Sequence, residues 1–415
     1  MRKSILKKYA KLIVKMGVNV RKGQEVIINA ELDQPEFIEF LVEEAYKAGA
    51  GKVRVEWSHQ PITLLNVNNR SLESLSTVEK WEEEKLAHQA KTLPAMIHII
   101  SDDPDGLNGM DQAKNAAARS ARFKIIKPYR DMMDNKYQWC IAAVPGKLWA
   151  KKVFPNLSER SAVEALWRAI LYTCRVIDEN GRVLNPIAEW KKHNASLAEK
   201  CAYLNGLGIK NLVYKSSNGT DFKVGMISDG IFLAGSEKLL GKKNVWYNPN
   251  IPTEEVFTTP MRGVADGIVY SSKPLSYSGE TIDNFSVRFE GGKVVEVKAE
   301  KGEELLKKMI SMDEGAAYLG ECALVPYDSP ICKSGIVFIN TLFDENAACH
   351  LALGRGFTNC LRDYESLTLD ECREKGINES IIHVDFMIGT PDLSIVAECE
   401  DGSNVQIFKD GNWAF

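Results

Sequence analysis

An apolar stretch near the C-terminus, residues 380–389, carries two side chains that can bind a metal ion, placed two positions apart. Side chains alternate between the faces of a strand, so His383, Asp385 and Met387 would share one face and the apolar residues between them the other. An imidazole and a carboxylate on one face can form part of a metal site. The alternative is an ordinary amphipathic strand whose polar face meets water.

Two glutamate segments earlier in the C-terminal half have a similar character. Glu254 and Glu255 are adjacent and lie between Pro252 and Pro260, which stiffen the backbone, and the apolar residues beside them indicate that at least one acid turns inward. Glu321 lies in an apolar, strand-like run, where an unpaired carboxylate would cost on the order of several kcal/mol. We therefore expect Glu321 to contact a cation or a metal ion, or else to face water. A solvated turn is the alternative for the paired acids.

The fourth segment, residues 343–354, is interpreted as the end of a strand that turns into a short helix, with Asp344 as a possible N-cap. Glu345 and His350 are five residues apart and would point roughly 140° away from each other on a regular helix. They could therefore share a site only if Glu345 lies at or before the start of the helix. The alternative for His350 is a core or surface histidine.

Together these segments supply four carboxylates and two imidazoles as candidate metal ligands. They are Glu255, Glu321, Glu345, His350, His383 and Asp385. This mixture of oxygen and nitrogen donors suits zinc, cobalt or manganese, and it is large enough for two ions. The other four histidines lie in the first half, away from the acidic segments, and are predicted to be structural. They are His59, His88, His98 and His193.

Several other classes of function are excluded by the sequence. There is no dinucleotide or Walker-type glycine motif and no Gly-x-Ser-x-Gly nucleophile motif. The formal net charge of −4 gives no basic surface for nucleic acid. The acidic segment 102–108 is interpreted as a turn, since its glycine comes too early for a calcium loop. We expect no signal peptide and no membrane span, and the nine cysteines, none in a Cys-x-x-Cys pair, predict reduced thiols in a cytoplasmic protein.

The elements that must position the candidate ligands fall into two halves. Strands near residues 26–30, 52–57 and 95–100 alternate with helices, which predicts an α/β domain of βαβ units with a parallel sheet over residues 1–200. These helices include a charged one over about residues 72–90 and another near residues 112–122. From residue 201 to residue 415, short strands are separated by Asn-Gly, Asp-Gly and Gly-Gly turns. This second part is predicted to be an α+β domain with a mostly antiparallel sheet that carries the metal site.

Four motifs resemble those of the metalloaminopeptidase family of aminopeptidase T and aminopeptidase S. They are Asn-x-Pro-Thr-Glu-Glu-Val-Phe-Thr-x-Pro at 250–260, Leu-Gly-Glu at 319–321, Leu-Phe-Asp-Glu-Asn-Ala-Ala-x-His at 342–350 and Gly-x-Asn-Glu-Ser-x-x-His-x-Asp-x-Met-Ile-Gly at 376–389. The likeness extends over nearly the whole chain. It implies a homodimeric exopeptidase with two metal ions in the C-terminal domain, acting on peptides with a free N-terminus.

The resemblance also implies roles for individual residues. The ligands would be Glu255, Glu321, His350, His383 and Asp385, with Glu345 as a further ligand or a nearby carboxylate. Glu321 or Glu345 is our candidate for the general base.

One position departs from the family pattern. The family has a tyrosine seven residues after the histidine of its third motif, and here that position is Phe357. A lost hydrogen bond to a developing oxyanion costs about 2.7–4 kcal/mol. Tyr318, Tyr327 or Arg355 would have to replace it, or the metal ions would act alone, or the protein would be slow on peptides. Two alternatives therefore stand beside the peptidase: a metal-binding pseudoenzyme or scaffold, and a metal hydrolase for another amide.

Overall fold

The computed structural model describes residues 1–242, 244–277 and 280–415. The helices are α1 (Lys3–Leu12), α2 (Pro35–Lys47), α3 (Gln60–Asn69), α4 (Leu72–Ser76), α5 (Lys80–Thr92), α6 (Gln112–Met133), α7 (Lys147–Val153), α8 (Glu159–Thr173), α9 (Pro186–Gly206), α10 (Glu303–Ile310), α11 (Pro330–Lys333), α12 (Thr341–Glu345) and α13 (Leu369–Glu374). No helix within these residues is both long enough and apolar enough to cross a membrane.

The strands alternate with the helices in the first half and follow one another in the second. They are β1 (Glu25–Glu31), β2 (Lys52–Ser58), β3 (Ala95–Ile100), β4 (Trp139–Ala143), β5 (Ile209–Lys215), β6 (Asp221–Met226), β7 (Leu233–Ala234), β8 (Glu237–Lys238), β9 (Trp246–Tyr247), β10 (Asn250–Ile251), β11 (Val256–Thr258), β12 (Pro260–Tyr270), β13 (Leu275–Tyr277), β14 (Glu280–Glu290), β15 (Lys293–Lys301), β16 (Leu319–Leu324), β17 (His350–Gly354), β18 (His383–Met387), β19 (Ser394–Cys399), β20 (Asn404–Lys409) and β21 (Asn412–Trp413).

The chain divides into two compact units. The first comprises mainly Met1–Lys192 and Ser236–Pro252, and the second comprises mainly His193–Gly235, Thr253–Tyr277 and Thr281–Phe415. The chain therefore returns to the first unit before it enters the segment with the paired glutamates.

The first unit contains a parallel sheet in the order β10-β4-β3-β1-β2. The interior of β1 is buried, as expected for a parallel strand covered on both faces. The aromatic rings of Tyr9, Phe37 and Trp167 pack against one another in the same unit, with centroids 5.4–6.5 Å apart. The predicted α/β fold with a parallel sheet is confirmed.

The second unit contains two larger antiparallel sheets. One has the order β18-β17-β16-β11-β7, and the other runs β13-β14-β12-β6-β5-β19-β20-β21, with β15 paired to β14. Leu351 and Phe386 of the first sheet belong to the same buried core as Tyr214 and Phe222 of the second. The core thus covers one face of the five-stranded sheet, and the predicted antiparallel architecture is confirmed.

Three predicted elements were wrong in detail. The helix expected over residues 72–90 is two helices, because the Ser71 hydroxyl caps α4 and a capping box of Glu79 and Glu82 starts α5. The helix expected to end near Arg122 continues through Pro128 to Met133. The most consequential correction concerns the His350 segment, where the helix comes first and a strand follows.

Candidate metal centre

His350 is the first residue of β17, and Glu345 is the last residue of the short helix α12. The prediction of a helix that carries His350 was therefore wrong, as was the prediction that Asp344 is an N-cap. The Asp344 carboxylate instead accepts backbone N–H bonds from Phe338 and Asn340, each at 2.9 Å, and so closes the loop before the helix. A turn between helix and strand, rather than helical periodicity, sets the distance between Glu345 and His350.

Three neighbouring strands present the other candidate ligands on one face. Glu321 of β16 lies opposite Ala352 of β17, and Ala352 lies opposite Asp385 of β18. His383 lies two residues before Asp385, opposite Gly354, so it projects from the same face. Glu255 immediately precedes β11, which pairs with β16. The residues of the central strand that lie opposite these ligands, Ala352 and Gly354, are small.

The ligand atoms form two groups that share one carboxylate. Glu255, Glu321 and His350 form the first group, and Glu321, His383 and Asp385 form the second, with the ligand atoms of each group within 4.8 Å of one another. In the first, the Nε2 atom of His350 lies 3.3 Å from an oxygen of Glu255. In the second, the Nε2 atom of His383 lies 3.1 Å from Glu321 and 3.3 Å from Asp385. Glu321 therefore links the two groups.

Both imidazoles are oriented from behind by backbone carbonyl groups. The Nδ1–H group of His350 donates to the carbonyl oxygens of Glu345, at 2.9 Å, and Ala348, at 3.2 Å. The Nδ1–H group of His383 donates to the carbonyl oxygen of Arg355 at 2.6 Å. Each Nε2 atom consequently faces the carboxylates. This arrangement is typical of histidines that bind metal ions.

Without a metal ion, Glu321, Glu345 and His350 of the centre have raised pKa values. Burial raises the pKa of Glu321 to about 7, and burial together with Asp385 and Glu255 raises the pKa of Glu345 well above its ordinary value. Burial opposes the charged form of His350, but Glu255 and the other carboxylates outweigh it and raise its pKa to about 10. The metal-free centre therefore retains protons that offset its negative charge.

His383 and Asp385 behave as an ion pair within the same cluster. Burial alone would lower the pKa of His383, but Asp385 and Glu321 raise it well above its ordinary value. Burial would raise the pKa of Asp385, and the charge of His383 lowers it instead. Each shift has the direction expected for opposite charges in contact.

The oxygen and nitrogen atoms of these side chains are suitable ligands for divalent metal ions. The Oδ1 atom of Asp385 is buried, and its 3.3 Å contact with the Nε2 atom of His383 is not a hydrogen bond within the described part of the chain. A carboxylate buried in this way is costly without a cation, and a divalent metal ion could take the place of the charge on His383. Carboxylate oxygens and imidazole nitrogens are ligands that zinc, cobalt and manganese accept.

The remaining predicted residues have different surroundings. Glu345 belongs to neither group, although burial and the charges of Asp385, Glu255 and Glu321 raise its pKa. Glu254 points the other way and lies 3.7 Å from the Nε2 atom of His193. His193 was predicted to be an isolated structural histidine. No local sequence signal links it to a glutamate sixty-one residues later.

Phe357 packs directly against the centre. Its ring lies 4.8 Å from the imidazole of His383 and 5.5 Å from the ring of Phe257, centroid to centroid. Of the three residues proposed to replace the missing phenol, Tyr318 lies under the guanidinium group of Arg262 at 4.7 Å. Arg355 contributes its carbonyl oxygen to His383.

A buried cluster of acids and imidazoles is the kind of site that a metallopeptidase requires, and comparison with known proteins shows that this chain is of that class. Residues 2–413 match the family model described as thermophilic metalloprotease (M29). The chain is 41% identical to aminopeptidase AmpS of Bacillus subtilis (strain 168) over 99% of its length and 98% of that protein. It is 38% identical to aminopeptidase 2 of Geobacillus stearothermophilus, with the same coverage.

A solved structure agrees with the sequence matches. Wild-type AmpT from Thermus thermophilus superimposes with a TM-score of 0.88 and 37% identity, covering all of both chains. The chain therefore belongs to the M29 metallopeptidase family. The resemblance inferred from the four motifs and the predicted enzyme class, a metalloaminopeptidase of the hydrolase type, are confirmed.

Proposed function

We propose that this protein binds two divalent metal ions and removes N-terminal residues from peptides. The observation that carries the proposal is the pair of ligand groups that share Glu321. One group offers Glu255 and His350, and the other offers His383 and Asp385, so each ion would have three protein ligands and open positions for water and substrate. Zinc, cobalt and manganese are the candidate ions.

When bound, divalent ions supply a Lewis acid that polarises the scissile carbonyl group and makes water a better nucleophile at neutral pH. The protein must supply a base that accepts a proton and returns it to the leaving amine. Glu345 suits this role because its backbone carbonyl group contacts the His350 imidazole while its carboxylate belongs to neither group, and because burial raises its pKa. Glu321 is the other candidate, but its position between the groups favours a shared ligand.

The residues around the candidate metal centre hold the candidate ligands in fixed orientations and keep water away from them. Glu255, Glu321, His350 and Asp385 are all buried. Backbone carbonyl groups hold both imidazoles in one orientation. Ligands that are already held in place in a site without water need little rearrangement during the reaction, so the free-energy cost of that rearrangement is small. The Phe357 ring against His383 forms an apolar wall where the family has a phenol.

The relatives' names indicate the substrate. Both curated relatives are named aminopeptidases, and a free N-terminus is therefore the proposed substrate feature. The test is hydrolysis of a panel of short peptides, each with a free and with an acetylated N-terminus, by protein whose metal content has been measured. We expect release of the first residue from the free peptides only, and loss of activity after chelation. Equal cleavage of the acetylated peptides would favour a hydrolase for another amide.

Two further features of the proposal concern assembly and location. We carry forward the homodimer implied by the family resemblance, which light scattering on purified protein tests directly. A cytoplasmic location is supported by the nine scattered cysteines, none of which is in a Cys-x-x-Cys pair. No nucleic-acid or membrane partner is proposed.

A further inference from the structure

Two side chains that are not candidate ligands hold the segment that carries Glu255. The Nε2–H group of His193, on α9, donates to the carbonyl oxygen of Thr253 at 2.7 Å, and the same atom lies 3.7 Å from the Glu254 carboxylate. The side-chain amide oxygen of Asn346 accepts the backbone N–H group of Glu254 at 2.7 Å. The backbone immediately before Glu255 is thus fixed from two sides.

Asn346 also reaches a second candidate residue. Its amide nitrogen donates to the carbonyl oxygen of Leu342 at 2.9 Å and to the Glu345 carboxylate at 3.3 Å. Asn346 is fully buried, so no water replaces these bonds when the side chain is removed. A single amide therefore links the Glu254 backbone to the end of α12, where Glu345 lies.

His193 in addition distinguishes between the two adjacent glutamates. Neighbouring side chains of an extended segment point to opposite sides. With the Glu254 carboxylate directed towards His193, Glu255 is the acid that meets His350, at 3.3 Å. Without the His193 imidazole, the segment that carries Glu254 and Glu255 could shift or turn. The 3.3 Å contact between Glu255 and His350 would then no longer be held in place.

We infer that His193 and Asn346 are positioning residues of the metal centre, which set the place of Glu255 relative to His350. This inference rests on the proposed function, since it concerns the same centre. Groups that orient metal ligands change metal affinity by about 10–100-fold when they are removed. A merely structural role would lower the stability of the protein and leave the metal affinity unchanged.

The experiment compares variants that keep or remove the donor groups in the full-length protein. His193→Phe keeps a ring and loses the donor, His193→Gln keeps a donor, and Asn346→Leu keeps the volume and loses all three bonds. Asn205→Ala is the matched control, because Asn205 lies on the same helix and its side chain bonds to the backbone of Phe232, at 2.7 and 3.0 Å, away from the candidate ligands. Zinc affinity is measured by competition with a chromogenic chelator, and the geometry of the centre by the visible spectrum of bound cobalt.

We expect His193→Phe and Asn346→Leu to bind zinc about 10–100-fold more weakly and to change the cobalt spectrum. His193→Gln should recover most of the affinity, and Asn205→Ala should match the wild type in both measurements. If His193→Phe fails to fold, His193→Asn replaces it, because the shorter asparagine amide cannot reach Thr253. If Asn346→Leu fails to fold, Asn346→Ser replaces it. We expect the same loss of zinc affinity from either replacement.

Wild-type zinc affinity and an unchanged cobalt spectrum in the donor-free variants would overturn the inference and leave the proposed function standing. If the wild-type protein itself bound none of zinc, cobalt and manganese, the proposed function would fail, and this inference with it. The two failures are therefore distinguished by the wild-type measurement alone.

Discussion

Glu321 and Asp385 lie on strands that are not neighbours, and a single alanine, Ala352, stands between them in register. Residues directly opposite each other in antiparallel strands project from the same face. The two carboxylates therefore flank a methyl group, and the imidazole of His383 contacts both, at 3.1 and 3.3 Å. The volume beside Ala352 is the space in which the proposed ions would lie.

Enlarging Ala352 should abolish metal binding without removing a ligand. In Ala352→Leu the longer side chain would enter the space between Glu321 and Asp385, and we expect zinc stoichiometry, measured on dialysed protein, to fall with activity. Ala397→Leu is the matched control, since Ala397 is a fully buried alanine on β19 and should show only the instability of overpacking, about 1–3 kcal/mol. Full zinc content in Ala352→Leu would show that the ions lie elsewhere.

The stability of the metal-free protein should fall as pH rises. Glu321 has a pKa of about 7 in the fold against an ordinary 4.5, and His350 about 10 against 6.5. In both cases the folded protein binds more protons than the unfolded chain between the two values, so stability is lost between about pH 4.5 and 10. Bound metal replaces these protons. Thermal unfolding of chelated and zinc-loaded protein should therefore show a difference in Tm that grows with pH.

A difference in Tm that stays constant or shrinks as the pH rises through this window would contradict these pKa shifts. Calorimetry gives an independent check. Zinc binding near pH 7 should release protons, which is detected as a dependence of the measured heat on the ionisation enthalpy of the buffer.

Glu345→Gln should separate catalysis from metal binding. The amide keeps the shape of the side chain and cannot accept a proton, so we expect kcat to fall by about 10²–10⁴-fold while the zinc content changes little. Glu44→Gln is the control, because Glu44 is a buried glutamate on α2 that pairs with Lys47. Wild-type kcat in Glu345→Gln would transfer the role of base to Glu321.

Phe357→Tyr tests the departure from the family pattern. A phenol beside His383 can donate to a developing oxyanion, and we expect kcat to rise, by up to about 10²–10³-fold if the hydroxyl group reaches that position. Phe257→Tyr adds the same group to the neighbouring ring and should not raise kcat. If metal-loaded wild type were inactive and Phe357→Tyr active, the chain would be a pseudoenzyme that the substitution restores.

The placement of the two candidate ligands on β18 was predictable, because side chains alternate between the two faces of any strand. Alternation alone places His383 and Asp385 on one face and Val384 and Phe386 on the other, and the structure has the first pair in one ligand group and the second against the core. Glu321 was singled out for a related reason, since a lone acid in an apolar run requires a partner.

The order of helix and strand around His350 was not predictable in the same way. The five residues of α12 are too few to show a 3.6-residue period, and Asp344 looks like a cap in either arrangement. The two-residue strand β10 and the role of His193 depend on contacts between residues far apart in the chain. Such contacts leave no local pattern, because nothing near His193 in the sequence indicates that it meets Thr253 and Glu254.

Anomalous scattering at the zinc absorption edge, from crystals of zinc-loaded protein, would locate the bound ions directly. We predict two peaks in each chain on either side of the Glu321 carboxylate, one bound by Glu255 and His350 and the other by His383 and Asp385. The absence of any peak between these side chains, with zinc bound elsewhere or not at all, would rule out the proposed two-ion centre.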